Sequence, residues 1–301
     1  MQQAPATAVE YSPTVIAMCA AGLAVLAVGV WGGRKEWAAA RGLDKVVALA
    51  HVSYGIPLAV FGATHLFDPQ SLLIRVPSYM PFRPLWVYFV GGALIAAAFS
   101  LAARFAVRWS GLLFGIMMFL FVAMLHLPGA IVTGDSRVLW TIVVREMSFG
   151  SGAWILAAIA ADGWPERRRD GLTTVGRVFV TLALFVFGVE HFLHPAGLPG
   201  VPLEQEMPPG VPGRLLIGYL TGALLLVAGA SVLSGKKART ITTLVGAWIV
   251  LLVLVLYGTL MILALGAPGE TAQVVAIDFL VDTLLFAGAV LALAKVMPAD
   301  R

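Results

Sequence analysis

Apolar positions in this chain gather into nine long runs separated by short polar connections. The runs cover about residues 13–33, 45–66, 85–103, 109–132, 138–161, 175–193, 215–233, 241–265 and 272–296. A helix of roughly 20 apolar residues crosses the ~30 Å hydrocarbon layer of a bilayer, so each run predicts a membrane span. Within lipid every backbone N–H and C=O has to be satisfied inside its own segment, which selects helix over open strand. The predicted fold class is an all-α polytopic membrane protein with nine transmembrane helices. Glu10 is the only charged residue ahead of the first run, and Arg34, Lys35, Arg41 and Lys45 follow it. A cleaved signal peptide carries its positive charge in front. The first run is therefore expected to be an uncleaved N-terminal anchor.

The other eight runs fall into two sets of four, because one pattern occurs twice. Phe61 to Pro69 reads FGATHLFDP and Phe187 to Pro195 reads FGVEHFLHP, with Phe-Gly, a His and the closing Pro in register. The sequences that follow also align, pairing Pro81 with Pro212, Arg83 with Arg214, Tyr88 with Tyr219 and Gly91 with Gly222. Structural repeats keep their core pattern and vary in their loops. The expected organisation is an anchor helix with its inner loop in 1–44, one four-helix repeat in 45–171 and a second in 172–301. An even number of spans per repeat makes the two parallel, related by an axis along the membrane normal. The Pro-rich segments 65–84 and 194–213 both fall on the outer side and are expected to fold over the mouths of their bundles.

Charge sets the orientation. With the N-terminus outside, the inner connections hold the four cations after the first run, then Arg104 and Arg108, then Arg167, Arg168 and Arg169, then Lys236, Lys237 and Arg239. The outer connections keep Arg75, Arg83, Arg137 and Arg214. Basic residues concentrate on the cytoplasmic side, so the expectation is N-terminus outside and C-terminus inside, in a bacterial inner (plasma) membrane. With 60% hydrophobic and 12% charged residues, the composition excludes an ordinary soluble domain. The net charge of +4 is spread over short loops and forms no continuous patch, so the expected partner is the lipid bilayer and not nucleic acid. Cys19 is the only cysteine, which excludes an intramolecular disulfide, a CxxC redox pair and a thiolate metal cluster.

A helix ending FGxxHFxxP, an outer loop with paired prolines and a Tyr-x-x-Gly opening the next helix together resemble the DoxX-like family of small four-helix membrane proteins. The run Gly222 to Gly229 and the last helices of each set, Arg145 to Ala157 and Asp278 to Ala294, agree with that resemblance. It covers both four-helix sets and leaves the first helix outside. The resemblance implies an accessory subunit of a quinone-linked membrane redox system, with other membrane redox subunits as partners and a quinone as the cofactor to expect. It supplies no catalytic residue.

Ionisable groups inside a bilayer are costly, and those that are kept pair with one another or line a cavity. They form two layers here. The outer one holds His65, His126, Glu190, His191 and His194; the deeper one holds Arg145, Glu146, Asp278 and Asp282. His51 and His65 lie about four turns apart on one helix, a spacing suited to stacked haems, but no second helix carries a matching pair. A single outer haem through His65 with His126 or His191 ranks behind a quinone pocket, and no metal site is expected. Arg145 is the one cation at its depth and is expected to pair with Asp278 or Asp282 across the two repeats. Glu146 and Asp278 take equivalent places in their last helices. Tyr257 stands where the second repeat would need a counterpart of His126, so the two outer sites should differ. A proton-coupled or small-molecule transporter and a scaffold or assembly subunit are the competing functions.

Overall fold

The computed structural model describes residues 9–300, and among these nine helices are long and apolar enough to cross a membrane. They are α1 (Pro13–Ala39), α2 (Asp44–Phe67), α3 (Arg83–Ala103), α4 (Val107–Thr133), α5 (Arg137–Ile159), α6 (Glu166–Leu193), α7 (Arg214–Ser234), α8 (Ala238–Leu265) and α9 (Glu270–Lys295). The described residues contain no named strand, only an isolated bridge between Gly197 and Glu206. The chain is an all-α polytopic membrane protein.

Local chemistry sets the helix ends. Ser12 accepts the Val15 amide at 3.2 Å ahead of Pro13, and Ser136 accepts the Leu139 amide at 3.4 Å at the start of α5. Each side chain satisfies an amide that has no carbonyl one turn earlier. The α6 helix begins at Glu166, well before the apolar run near residue 175, so Arg167, Arg168 and Arg169 lie on its first turns and not in a loop. Hydropathy marks the apolar part of a helix and misses a polar extension beyond the bilayer. Arg169 pins this one by donating to the Ala158 carbonyl at 3.3 Å.

Left-handed residues make the tight turns. Arg104 and Ala106 join α3 to α4, Gly235 and Lys237 join α7 to α8, and Phe82 and Gly213 stand immediately before α3 and α7. Both α4 and α8 contain a π-helical turn, Val122–His126 and Val253–Tyr257. Such a turn inserts an extra residue into the ladder and re-aims the side chains after it, often at functional sites.

The most buried spans are α2, α5 and α9, and the most lipid-facing are α1, α4 and α8. The centre is built from small residues: a Cβ added at Gly152 of α5 would lie 2.8 Å from Ala289 Cβ of α9, and one at Gly288 would lie 2.9 Å from the Tyr54 ring of α2. Close backbone approach is what holds helices together where lipid is as apolar as the interface. Tyr54 fills the junction fully buried, and its hydroxyl donates to the Phe149 carbonyl at 2.8 Å. Around this centre α5 packs on α6, α9 packs on α2, and α5 meets α9. The anchor helix is part of the body, lying against α2, α3 and α9. Its Glu36 accepts from Lys295 of α9 at 2.7 Å and pairs with Arg104, which also donates to the Ala48 carbonyl at 3.1 Å.

Candidate functional site

The deeper layer is one hydrogen-bonded network between α5 and α9. Arg145 donates from Nη2 to Glu146 at 2.7 Å and from Nη1 to Asp282 at 3.1 Å. All three side chains are largely buried, at 17%, 11% and 8% exposure for Arg145, Glu146 and Asp282. Arg145 thus joins α5 to α9, and of its two candidate partners the bond goes to Asp282. Asp278 lies one turn earlier on α9, and its Oδ1 is buried with no hydrogen-bond partner among the described residues. His126, at the end of the α4 π turn, is close enough to Glu146, Arg145 and Arg75 to interact with their charges. Two cations, Arg145 and the more distant Arg75, therefore lie near three carboxylic acids, with a histidine at the edge.

The mouth at the Leu193 end of α6 is closed by the chain itself. His191 is buried; its Nδ1 bonds to the Phe187 carbonyl at 2.6 Å and its Nε2 accepts the Gly200 amide at 2.9 Å. Tyr257 is equally buried and donates to the Pro199 carbonyl at 2.7 Å. Leu198, Val201 and Met207 seat this segment in the protein. The helix ends at Leu193, so His194 leaves it at the cap and does not share the face of His191. His194 lies 4.0 Å from Glu190, which Arg137 binds at 2.9 Å while donating to the Pro202 and Leu203 carbonyls, both at 3.1 Å. A shallow cleft of about 260 Å³ runs between Arg137, His194, Glu204 and Glu206.

The mouth at the Phe67 end of α2 is more open. His65 repeats the local bond of His191, with Nδ1 at 2.7 Å from the Phe61 carbonyl, and among the described residues its Nε2 has no partner. The Pro-rich segment here turns outward and leaves Ile74, Tyr79 and Phe82 exposed. Arg83 secures it by donating to Val76 O at 3.0 Å and to Leu73 O at 2.6 Å. The expectation of a cover over each bundle thus describes the second half and not the first. A glycine-rich segment can turn back into the bundle, whereas this one contains no glycine.

The five residues expected in the outer layer do not form one site. Glu190 and His194 adjoin each other, His191 faces the cover, and His126 belongs with the Arg145 network. Among the described residues, no group of three His, Cys, Asp or Glu is placed to hold a metal ion. The sequence pattern did not single out Tyr257, Arg137 or the Glu36–Arg104–Lys295 triad as site residues. Arg137 is one of three expected outer cations that open a helix, with Arg83 and Arg214, and the repeat alignment sets Tyr257 opposite His126 without showing its bond to Pro199. Comparison of the chain with protein-family models, curated proteins and solved structures gives no match.

Proposed function

We propose that this chain is a DoxX-like integral membrane protein of the bacterial inner membrane that serves as an accessory subunit of a quinone-linked redox system. One observation carries the reading: a buried ionic network, Arg145 with Glu146 and Asp282, adjoins an unpartnered Asp278 oxygen and a histidine at a π turn. Quinone chemistry moves protons with electrons. A lipid-soluble head group needs polar side chains in the membrane to bind its oxygens, and titratable ones to exchange its protons. Histidine changes charge near neutral pH and suits that task. A transporter has less support, because Pro57 lies inside a continuous stretch of α2 and does not break it.

The tandem-repeat part of the reading rests on matched backbone features. Phe82, Arg104 and Ala106 are left-handed, and so are Gly213, Gly235 and Lys237 at the same spacing. The π turns fall at the same spacing again. Arg83 and Arg214 each donate to a carbonyl seven residues back, Val76 and Met207. Matching Gly152 with Gly288 sets Asp282, and not Asp278, opposite Glu146, and Val281 opposite Arg145. Both halves then share the buried acid, and only the first has the cation.

The test is extraction of lipid-soluble molecules from the purified protein, with mass analysis and a redox difference spectrum. Quinone at near-equal molar amount, reduced in Arg145→Leu and His126→Gln, is the expected result. Quinone no higher than in an unrelated membrane protein from the same membranes would refute the assignment.

A further inference from the structure

His191 holds the cover at the end of α6 in a way that admits only one of its protonation states. Its Nδ1 lies 2.6 Å from the Phe187 carbonyl, which can only accept, so that nitrogen carries the proton. Its Nε2 takes the Gly200 N–H at 2.9 Å, so that nitrogen is bare. A second proton on the buried ring would set N–H against N–H and leave the Gly200 amide unpaired away from water.

The tip of the cover also rests beside the ionic network. Gly200 has φ +111°, and a Cβ there would lie 2.7 Å from the Thr283 side chain, so the fit needs glycine. Thr283 follows Asp282 on α9, and Asp282 is the carboxylate that binds Arg145 at 3.1 Å. The Pro199 carbonyl accepts from Tyr257 at 2.7 Å, and the Tyr257 hydroxyl neighbours both Thr283 and Asp282. Leu198, Val201 and Met207 bury the rest of the contact.

Charges surround the ring on every side. The elements packed against α6 bring Arg137, Arg145 and Glu146 on α5, Arg214 on α7 and Asp278 and Asp282 on α9, and the cover adds Glu204 and Glu206. His194 caps α6, and Glu190, one residue before His191, is the charge that acts on the ring. Arg137 binds Glu190 at 2.9 Å.

We propose that residues 195–213 form a proton-released gate over Asp282, with His191 as its latch. One proton taken up by His191 breaks the Gly200 bond, frees the Pro199–Gly200 tip from Tyr257 and Thr283, and admits water to Asp282. The closed cover keeps His191 neutral, whereas an uncovered histidine takes up a proton below about pH 6.5. Acid therefore opens the gate, by up to about tenfold for each pH unit below that point. The proposal holds whether or not the network serves a quinone.

The test is hydrogen exchange of the full-length protein in detergent at about pH 7.5 and about pH 5, either side of the histidine range. Each rate is divided by the intrinsic rate of an unstructured chain at the same pH. Protection of the amides in 197–203 should fall at least about tenfold on acidification. His191→Gln keeps an oxygen that can accept the Gly200 N–H and takes up no proton, so it should remove that fall, while His194→Gln should leave it in place. In a Cys19→Ser background, Thr283→Cys should react with a water-soluble thiol reagent faster at the lower pH, relative to Gly210→Cys at an exposed position of the cover. Should His191→Gln fail to fold, Gly200→Ala unseats the tip directly and should leave the cover unprotected at both pH values. Equal protection at both pH values in the parent overturns the latch, and so does a full acid response in His191→Gln or in Gly200→Ala. A cover that loosens in acid while Thr283→Cys stays unreactive overturns the gate.

Discussion

Replacing Arg145 by leucine tests whether the central network is an ionic clamp between the two halves. Exposed ion pairs contribute about 0–1 kcal/mol because water and salt screen them. That discount does not apply here, with Arg145 17% exposed and Asp282 8% exposed. Removing one partner of a buried pair costs about 3–5 kcal/mol, because the charge left behind has lost both water and partner. Arg145→Leu leaves two such groups, Glu146 and Asp282, bonded to the guanidinium at 2.7 and 3.1 Å in the native protein. The single replacement should therefore lose about 3–5 kcal/mol. Combining it with Glu146→Gln and Asp282→Asn removes the stranded charges and should recover at least half of that loss, since neutral replacement of a whole buried pair is often tolerated. Equilibrium unfolding in mixed micelles, followed by tryptophan fluorescence, measures both variants. A single variant within about 1 kcal/mol of the parent, or a triple variant no more stable than the single one, would show that the network does not act as a clamp.

Three further outcomes are expected. Phe82→Gly should raise stability by about 0.5–1 kcal/mol, because a left-handed L-residue is strained by roughly 1–2 kcal/mol and glycine returns part of that as entropy; Phe82 is 79% exposed, so little packing is lost, and thermal unfolding reads the gain. Glu36→Gln strips the shared carboxylate from Arg104 and Lys295 and should cost about 1–3 kcal/mol, between the exposed and buried limits; limited proteolysis should then cut between α1 and α2 faster than in the parent. In a Cys19→Ser background, an impermeant thiol reagent should label cysteine at Gly210 in intact cells, and cysteine at Gly163 only after permeabilisation. The opposite pattern would reverse the orientation.

Hydropathy made the nine spans legible, since each run is near the length of the bilayer and bounded by charge or proline. The paired FGxxH motifs suggested two like halves, and a lone arginine among intramembrane acids pointed to the bond that Arg145 makes with Asp282. Other features depend on contacts between residues far apart in the chain. Arg104 reads as a topology charge at a span end, yet it converges with Lys295 on Glu36 because α1 packs beside α3 and α9. In the sequence Tyr257 is only the residue opposite His126; that a π turn ends on it and its hydroxyl reaches the Pro199 carbonyl is a contact the pattern does not show. The choice of Asp282 over Asp278 was also hidden, because both carboxylates lie on one helix face and only the depth at which α5 crosses α9 separates them.

The asymmetry of the two mouths has a cause that can be traced to composition. Residues 195–213 include Gly197, Gly200, Gly210 and Gly213, while the corresponding stretch 69–84 has none. Gly200 and Gly213 take positive φ, a conformation that costs an L-residue strain. With glycines available, the second segment folds inward, donates its own amide to His191 and accepts from Tyr257. Without them, the first segment forms the short helix Pro69–Leu73 and spends its Leu73 and Val76 carbonyls on Arg83 at the surface. It cannot deliver a peptide to His65 by the same route. The ionic network bridges the two sides, with Arg145 and Glu146 on α5 and Asp282 on α9. A closed half that rigidifies the body and an open half that keeps its polar groups free are therefore two consequences of one difference in glycine content.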